Sequence, residues 1–514
     1  MNSIGNRSGK KWWALAALTL GVLAVGLDIT VLSVALPTLA NALKASESDL
    51  QWFSSGYALV LAAGMLPAGV LGDRFGRKKI LIGALVLFGA GSIVCAYSVD
   101  PGQFLAGRLV LGLAGAAIVV MALSVMTVLF DEEERPRAVG IWAAANFIAL
   151  PIGPIFGGWL LTNFWWGWIF LMNVPVALVG LIAVVALVPE SRAPERPALD
   201  PLGIVLASGG LAAVTYGLIE LGRNGWTDPR SLAVLVGGVV AVVGFFLWER
   251  LLTQRPGGRP LIDLTLFQSR GFTWGVILAA LGGMALIGMV FTLPQYSQGV
   301  LGLDPEGSGV RLLPIIAGLI VGAVPADRVA RRVGARYTVA VGFFITAIGL
   351  LIGSRTALDS STTFVITWMA IVGFGMGVGF ATAASAALKE VPSDQSGVAS
   401  ALLQAMQKVG APFGSAVLGS ILVTVYQSKL DLTGLPAAIA AKVKLSVFAG
   451  DAVATQLHAP GLLQSVHYAF VQGMDAALML SAGIAAAAAL LALIFLPRRS
   501  GASIAVQPAV EQVA

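Results

Sequence analysis

Asp28 sits in the middle of an apolar run that extends from about residue 12 to residue 37. A carboxylate at that depth in hydrocarbon is costly, and intramembrane acids are functional by default. Burial favours the neutral acid, so protonation can remove its charge there. That behaviour suits a proton carrier, loaded and neutral on one side and unloaded on the other. Contact with a cationic substrate, or competition between proton and substrate, fits the same residue. A shape-keeping hydrogen bond to Thr30 or to a neighbouring helix is the competing structural reading. Arg108 is a second charge inside an apolar run. As a permanent cation it can hold a nearby acid ionised until a proton arrives. The alternative is an arginine whose long stem snorkels to the interface.

Other polar positions fall into groups. Asp73, Arg74, Arg77 and Lys78, with Gly69, Gly72 and Gly76, stand at a turn between two apolar runs. A mere topology anchor needs only the positive charges, so the aspartate and the tight glycines suggest carboxylate–arginine pairing that latches helices together. Gly153, Pro154, Gly157 and Gly158 set a helix breaker among small residues that let helices approach closely. Trp142, Asn146, Phe147, Phe291, Gln295, Gln404 and Gln407 are candidates to line a cavity for flat amphipathic compounds. Lys408 lies well inside another apolar run; it either pairs with an acid, repels cations, or reaches a wet crevice. Glu220 and Asp475 lie near run ends and read as interfacial. The glycines at 373, 375, 377 and 379 lack the frame of a nucleotide loop and read as close packing.

These residues need a scaffold, and composition fixes its solvent. The chain has 514 residues, 57% hydrophobic and only 11% charged, with mean hydropathy +0.87. A soluble chain carries about 25% charged residues. Most of this surface therefore faces lipid. About 20 residues of helix span the hydrocarbon core. Runs of that length occupy residues 13–36, 51–71, 80–98, 103–129, 138–162, 168–189, 202–221, 231–250, 273–297, 308–327, 337–354, 362–388, 397–425 and 470–496. The first is too long for a signal peptide and reads as an uncleaved helix. The expected fold is an all-α membrane protein of 14 transmembrane helices. Of the 32 Lys and Arg residues, 22 fall in alternate loops and tails that include both termini and 8 in the intervening loops. That bias places both termini in the cytoplasm. It also accounts for the basic pI without nucleic acid. The single Cys95 permits no intrachain disulfide. Two histidines are too few for a metal cluster, and no Walker sequence for ATP is present.

The turn at Gly69–Lys79 is echoed at residues 325–336, where Asp327 and Arg328 are followed by Arg331, Arg332, Gly334 and Arg336. Setting aside spans seven and eight leaves six plus six, with the echo at matching positions. Related halves around a midplane cavity are a common transporter plan. The expected division is residues 1–190 as a first six-helix bundle, 191–255 as a linker with two inserted helices, and 256–514 as a second bundle. Residues 427–468 form an outer segment, with helix-like spacing at 437–447 and 462–471 that suits an amphipathic hairpin.

In order along the chain, the strings Leu27–Pro37, Gly69–Lys79, Arg108–Gly115, Gly153–Gly158 and Trp168–Pro175 resemble the major facilitator superfamily, in its 14-helix drug:proton antiporter branch. The resemblance implies a proton-coupled exporter of amphipathic drugs or lipophilic cations in a bacterial inner membrane. It implies a part in proton transfer for Arg108, and a latch at Asp73–Lys78 that stabilises the outward-open state. It also implies a leak-proof seal at the Gly153–Gly158 motif. Some multidrug members carry extra acids where this chain has Ser55, Leu319, Leu403, Gln404 and Lys408, which points to monovalent or neutral substrates. The expected partners are a small substrate, protons and lipid, with no nucleic acid, no cofactor and a monomeric chain. A dedicated exporter of a self-made antibiotic is the alternative. A membrane-embedded enzyme or lipid-handling protein is the alternative of another class, but no nucleophile, metal or phosphate constellation supports it.

Overall fold

A computed structural model of the chain describes residues 2–131, 134–192, 200–255, 264–389 and 396–497. Among the described residues every regular element is helical. In chain order they are α1 (Asn2–Leu43), α2 (Glu47–Phe75), α3 (Arg77–Ala96), α4 (Pro101–Leu129), α5 (Arg135–Asn163), α6 (Trp168–Leu171), α7 (Asn173–Leu187), α8 (Pro201–Asn224) and α9 (Pro229–Gln254). Then follow α10 (Arg270–Gln295), α11 (Pro305–Val310), α12 (Leu313–Val333), α13 (Ala335–Gly353), α14 (Thr362–Lys389) and α15 (Ser396–Lys429). The last three are α16 (Ala437–Val443), α17 (Val447–Gln456) and α18 (Pro460–Phe495). A π-helical turn, Tyr296–Val300, continues α10 beyond Pro294.

Local chemistry sets the boundaries. Asp100, Asp200, Asp228 and Asp304 cap helices whose first turn carries proline. Such side chains satisfy backbone donors that would be orphaned, while proline has no donor to orphan. The breaks after α2 and α12 are single glycines, Gly76 (φ +114°) and Gly334 (φ +99°). Both hold a conformation that a side chain disfavours. The echo read from the sequence therefore has the same backbone device at both positions.

Among the described residues, eleven helical segments are long and apolar enough to cross a membrane, or twelve when α2 is counted across its 46° bend at Pro67. That count leaves aside α5 and α15, of 29 and 34 residues. The chain is thus a multi-pass helical membrane protein. The segment before the last span differs from the expected hairpin. Residues 447–456 form a helix of their own, α17, and 462–471 belong to the unbroken start of α18. Pro460 at the first turn starts that helix ten residues ahead of the expected span. The buried face of its extension, Leu462, Val466, Ala469 and Phe470, keeps it helical outside the apolar run.

The basic turns Gly76 and Gly334 lie at one end of the bundle, and the starts of α2, α4 and α14 lie at the other. At the basic end Lys11 pairs with Glu134. Near the opposite end, α5 meets α11, α1 meets α10 and α2 meets α15. Helices α8 and α9 pack on each other, and α8 lies against both α2 and α15, bridging that seam. Ser420 on α15 donates to the Leu218 carbonyl, and Trp226 donates to Thr424. Gly373 and Gly377 of α14 press on the carbonyls of Ile315 and Leu319 in α12, where a Cβ would collide. That run of glycines serves close packing.

Candidate transport site

Helices α1, α2, α4 and α7 converge on one buried ionic group. Asp28 is 2% exposed and Arg108 1% exposed. Arg108 Nη1 donates to Asp28 Oδ2 at 2.5 Å, and Asn173 Nδ2 donates to Asp28 Oδ1 at 3.2 Å. Arg108 Nε donates to the Phe53 carbonyl at 3.3 Å. The guanidinium also lies over the Tyr57 ring, 4.1 Å from its centroid. An arginine this buried does not snorkel, so that alternative is excluded. Thr30 does not bond to Asp28. Its hydroxyl faces the carbonyls of Gly26, Leu27 and Ala149. Both carboxylate oxygens are held as acceptors, and the charge is compensated by a planar, permanent cation. The group is held here as an ion pair.

The glycine motif of α5 serves two neighbours. A Cβ at Gly153 would strike the Thr30 side chain, and one at Gly157 would come 2.6 Å from Val31 Cγ1. These two glycines bring α5 onto α1 beside Asp28. On another side of α5, a Cβ at Gly158 would come 2.7 Å from the Pro305 carbonyl oxygen, while Gly309 abuts the Pro154 carbonyl. That side makes the seam with α11.

At the basic turn, Arg77 Nη2 pairs with Asp73 Oδ1 at 2.9 Å, one turn apart. Arg77 Nη1 reaches the Ser124 carbonyl, and Lys78 Nζ donates to the Val185 carbonyl at 2.8 Å. Glu190 accepts from the Lys78 backbone and lies against Gly76. Arg74 lies over the Phe75 ring. Gly72 packs on Met121, and Gly69 on Val120. These contacts join α2, α4 and the end of α7. The side chain of Asp327, in the echoed turn, lies outside the described residues. Gly76→Ala adds a side chain at φ +114° with Glu190 Oε1 2.5 Å from its Cβ. The expected cost is about 1–3 kcal/mol, read as a lower melting temperature in detergent, with Gly83→Ala, which meets nothing, as the control.

The expected cavity residues separate. Gln295 and Phe291 are fully buried at the seam, where Gln295 Nε2 donates to Glu47 Oε1 at 2.9 Å. Gln407 is half-buried, its carbonyl next to Gly283. The side chains of Trp142, Asn146, Phe147, Gln404 and Lys408 lie outside the described residues. Tyr57, Phe53 and Glu190 were not expected from the sequence. Asn173 lies within the Trp168–Pro175 string, and its only signal is being a lone amide in an apolar run.

A family model of the Major Facilitator Superfamily matches residues 18–415. The chain belongs to this superfamily of membrane transporters, which are not enzymes. It is 33% identical to the tetracenomycin C resistance and export protein of Streptomyces glaucescens, over 94% of this chain and 91% of that one. It is 31% identical to the multidrug efflux pump LfrA of Mycolicibacterium smegmatis, covering 93% and 95% respectively. Among solved structures, a bacterial homologue of the human lysosomal transporter Spinster superposes with a TM-score of 0.67 at 19% identity, covering 95% of this chain and 98% of that one. A D-xylose–proton symporter superposes with a TM-score of 0.59 at 16% identity, covering 95% and 98%. Both share the fold.

Proposed function

We propose that this chain is a proton-coupled antiporter that exports amphipathic drugs or monovalent lipophilic cations across a bacterial inner membrane. The buried Asp28–Arg108–Asn173 group carries the reading: a titratable acid, compensated by one cation, at the meeting point of four helices. The efflux pumps and resistance proteins among its relatives support the substrate class. Helices α5 and α15 complete fourteen spans, with α1–α7 and α10–α18 as two six-span halves and α8–α9 inserted between them. The charge bias puts the basic turns and both termini in the cytoplasm, so the α5–α11 seam faces outward. In this assignment the carrier is closed outside. The Asp73–Arg77 motif, bonded here within the first half, exchanges these contacts for ones that latch the second half in the outward-open state. The carrier works as a monomer.

In the cycle, substrate enters from the cytoplasm while Asp28 is paired with Arg108. The seam parts and substrate leaves. A proton from outside then neutralises Asp28 and releases Arg108, and the return to the closed state carries that proton inward. The similarity to an antibiotic export protein favours a second reading, a carrier for one natural product of the host. Expression in a pump-deficient bacterium, with growth inhibition scored over a panel of cationic and neutral drugs, decides between them. Resistance to several unrelated compounds supports the multidrug reading. Resistance to one compound class supports the dedicated exporter, and resistance to none contradicts both.

A further inference from the structure

The seam buries a second carboxyl group that the transport site does not use. Glu47 is the first residue of α2, a position that usually faces water. Capping does not occupy it, because Ser46 and Asp49 exchange both hydrogen bonds of the capping box. Its carboxyl turns inward instead and is 3% exposed. Oε1 accepts from Gln295 Nε2 of α10, whereas Oε2 is buried with no partner. Gln295 Nε2 also donates to the Phe291 carbonyl at 3.2 Å, which fixes the amide orientation. Gln295 Oε1 is then a second buried acceptor without a donor. The Glu47 backbone donates to the Leu445 carbonyl at 2.8 Å, between α16 and α17, so three parts of the chain meet at this residue.

The other groups around it do not compensate an anion. From α2 comes Gln51, one turn on, whose Oε1 is also an orphan acceptor. From α15 comes the phenol of Tyr426, already spent on the carbonyls of Val443 and Ser446. From α17 comes Asp451, paired with His467 of α18 at 3.0 Å. Among the described residues no cation faces Glu47. A buried, unpaired carboxylate beside unfilled acceptors is strongly unfavourable, while a carboxylic acid carries no charge and supplies a donor.

We infer that Glu47 takes up a proton when the α2–α10 seam closes and gives it back when the seam opens, so that it acts as a proton-dependent gate residue distinct from Asp28. It is a positioning residue. The bond broken and remade is the O–H of its own acid, and water at the open end supplies and receives the proton. No proton crosses the membrane through it. An acidic exterior thereby favours the closed, cytoplasm-facing state. This rests on the reading of the chain as an alternating-access carrier.

The test places spin labels at Val99→Cys and Leu358→Cys, two exposed sites on loops at the seam end of the two halves, in a Cys95→Ser background. Electron–electron distances are measured from pH 5 to pH 9 without substrate. The unmodified seam should shift from the short to the long distance as pH rises. Glu47→Gln, whose amide keeps a donor and carries no charge, should hold the short distance at pH 9. Glu47→Ala should lower the short-distance fraction at pH 5. The inference is overturned if Glu47→Gln tracks the parent at every pH. Substrate-driven proton exchange in liposomes, together with that outcome, would remove the gate role and leave the antiport reading standing.

Discussion

Asp28→Asn should reduce proton-driven efflux in everted membrane vesicles to the level of vesicles lacking the carrier. The substitution keeps one acceptor oxygen, enough for Arg108 or Asn173 but not for both, and removes the proton site. It also leaves a buried guanidinium without its anion. Breaking such pairs costs about 3–5 kcal/mol in soluble proteins. Here the Phe53 carbonyl and the Tyr57 ring still hold Arg108, which offsets part of that loss. The protein should fold with a melting temperature lowered by several degrees. Adding Arg108→Gln should restore much of the melting temperature, because the orphaned charge is gone, but none of the transport. That split between stability and activity distinguishes a proton site from a structural ion pair. Transport at the parent rate in Asp28→Asn would refute the assignment.

Gly158→Leu should keep the carrier from closing at the seam. Its Cβ would come 2.7 Å from the Pro305 carbonyl oxygen and 2.8 Å from the Glu306 Cα, both backbone atoms that cannot step aside. The obstruction lies toward α11, so the α1–α5 contact that supports Asp28 is left intact. We expect a folded protein whose seam labels report the long distance at every pH. Transport should fall at least tenfold, because a carrier held in one state cannot cycle. Gly83→Leu, with nothing near its Cβ, should behave as the parent. A short seam distance in Gly158→Leu would show that the α5–α11 contact does not control closure.

Charge in an apolar run is easy to read, and that is why Asp28 and Arg108 stood out in the sequence. Their mutual contact spans 80 residues and depends on how α1, α2, α4 and α7 pack, which spacing alone does not encode. Tyr57 is neutral and ordinary within an apolar helix, and the lone amide of Asn173 does not by itself name a partner. Gln295 was grouped with cavity residues because an amide in a span suggests a ligand contact. Its actual partner, Glu47, lies ahead of the expected span 51–71, and nothing in the sequence singled it out. The seam itself was hidden, since α11 has six residues and no pattern of its own. Residues 447–456 fell between the two helix-like stretches of the expected hairpin, and the surface that α17 covers exists only once α18 is in place. The repeated turns were legible because a tight glycine and basic residues recur at fixed spacing, and both glycines do adopt the same backbone conformation.

The most direct measurement uses purified protein in liposomes with a pH-sensitive dye trapped inside. A lipophilic cation such as ethidium is added outside and a pH gradient is imposed. Proton movement should follow substrate addition with the parent protein and vanish in Asp28→Asn. Proton movement that persists unchanged in Asp28→Asn, or substrate transport that moves no protons at all, would contradict coupling through the buried Asp28–Arg108 pair.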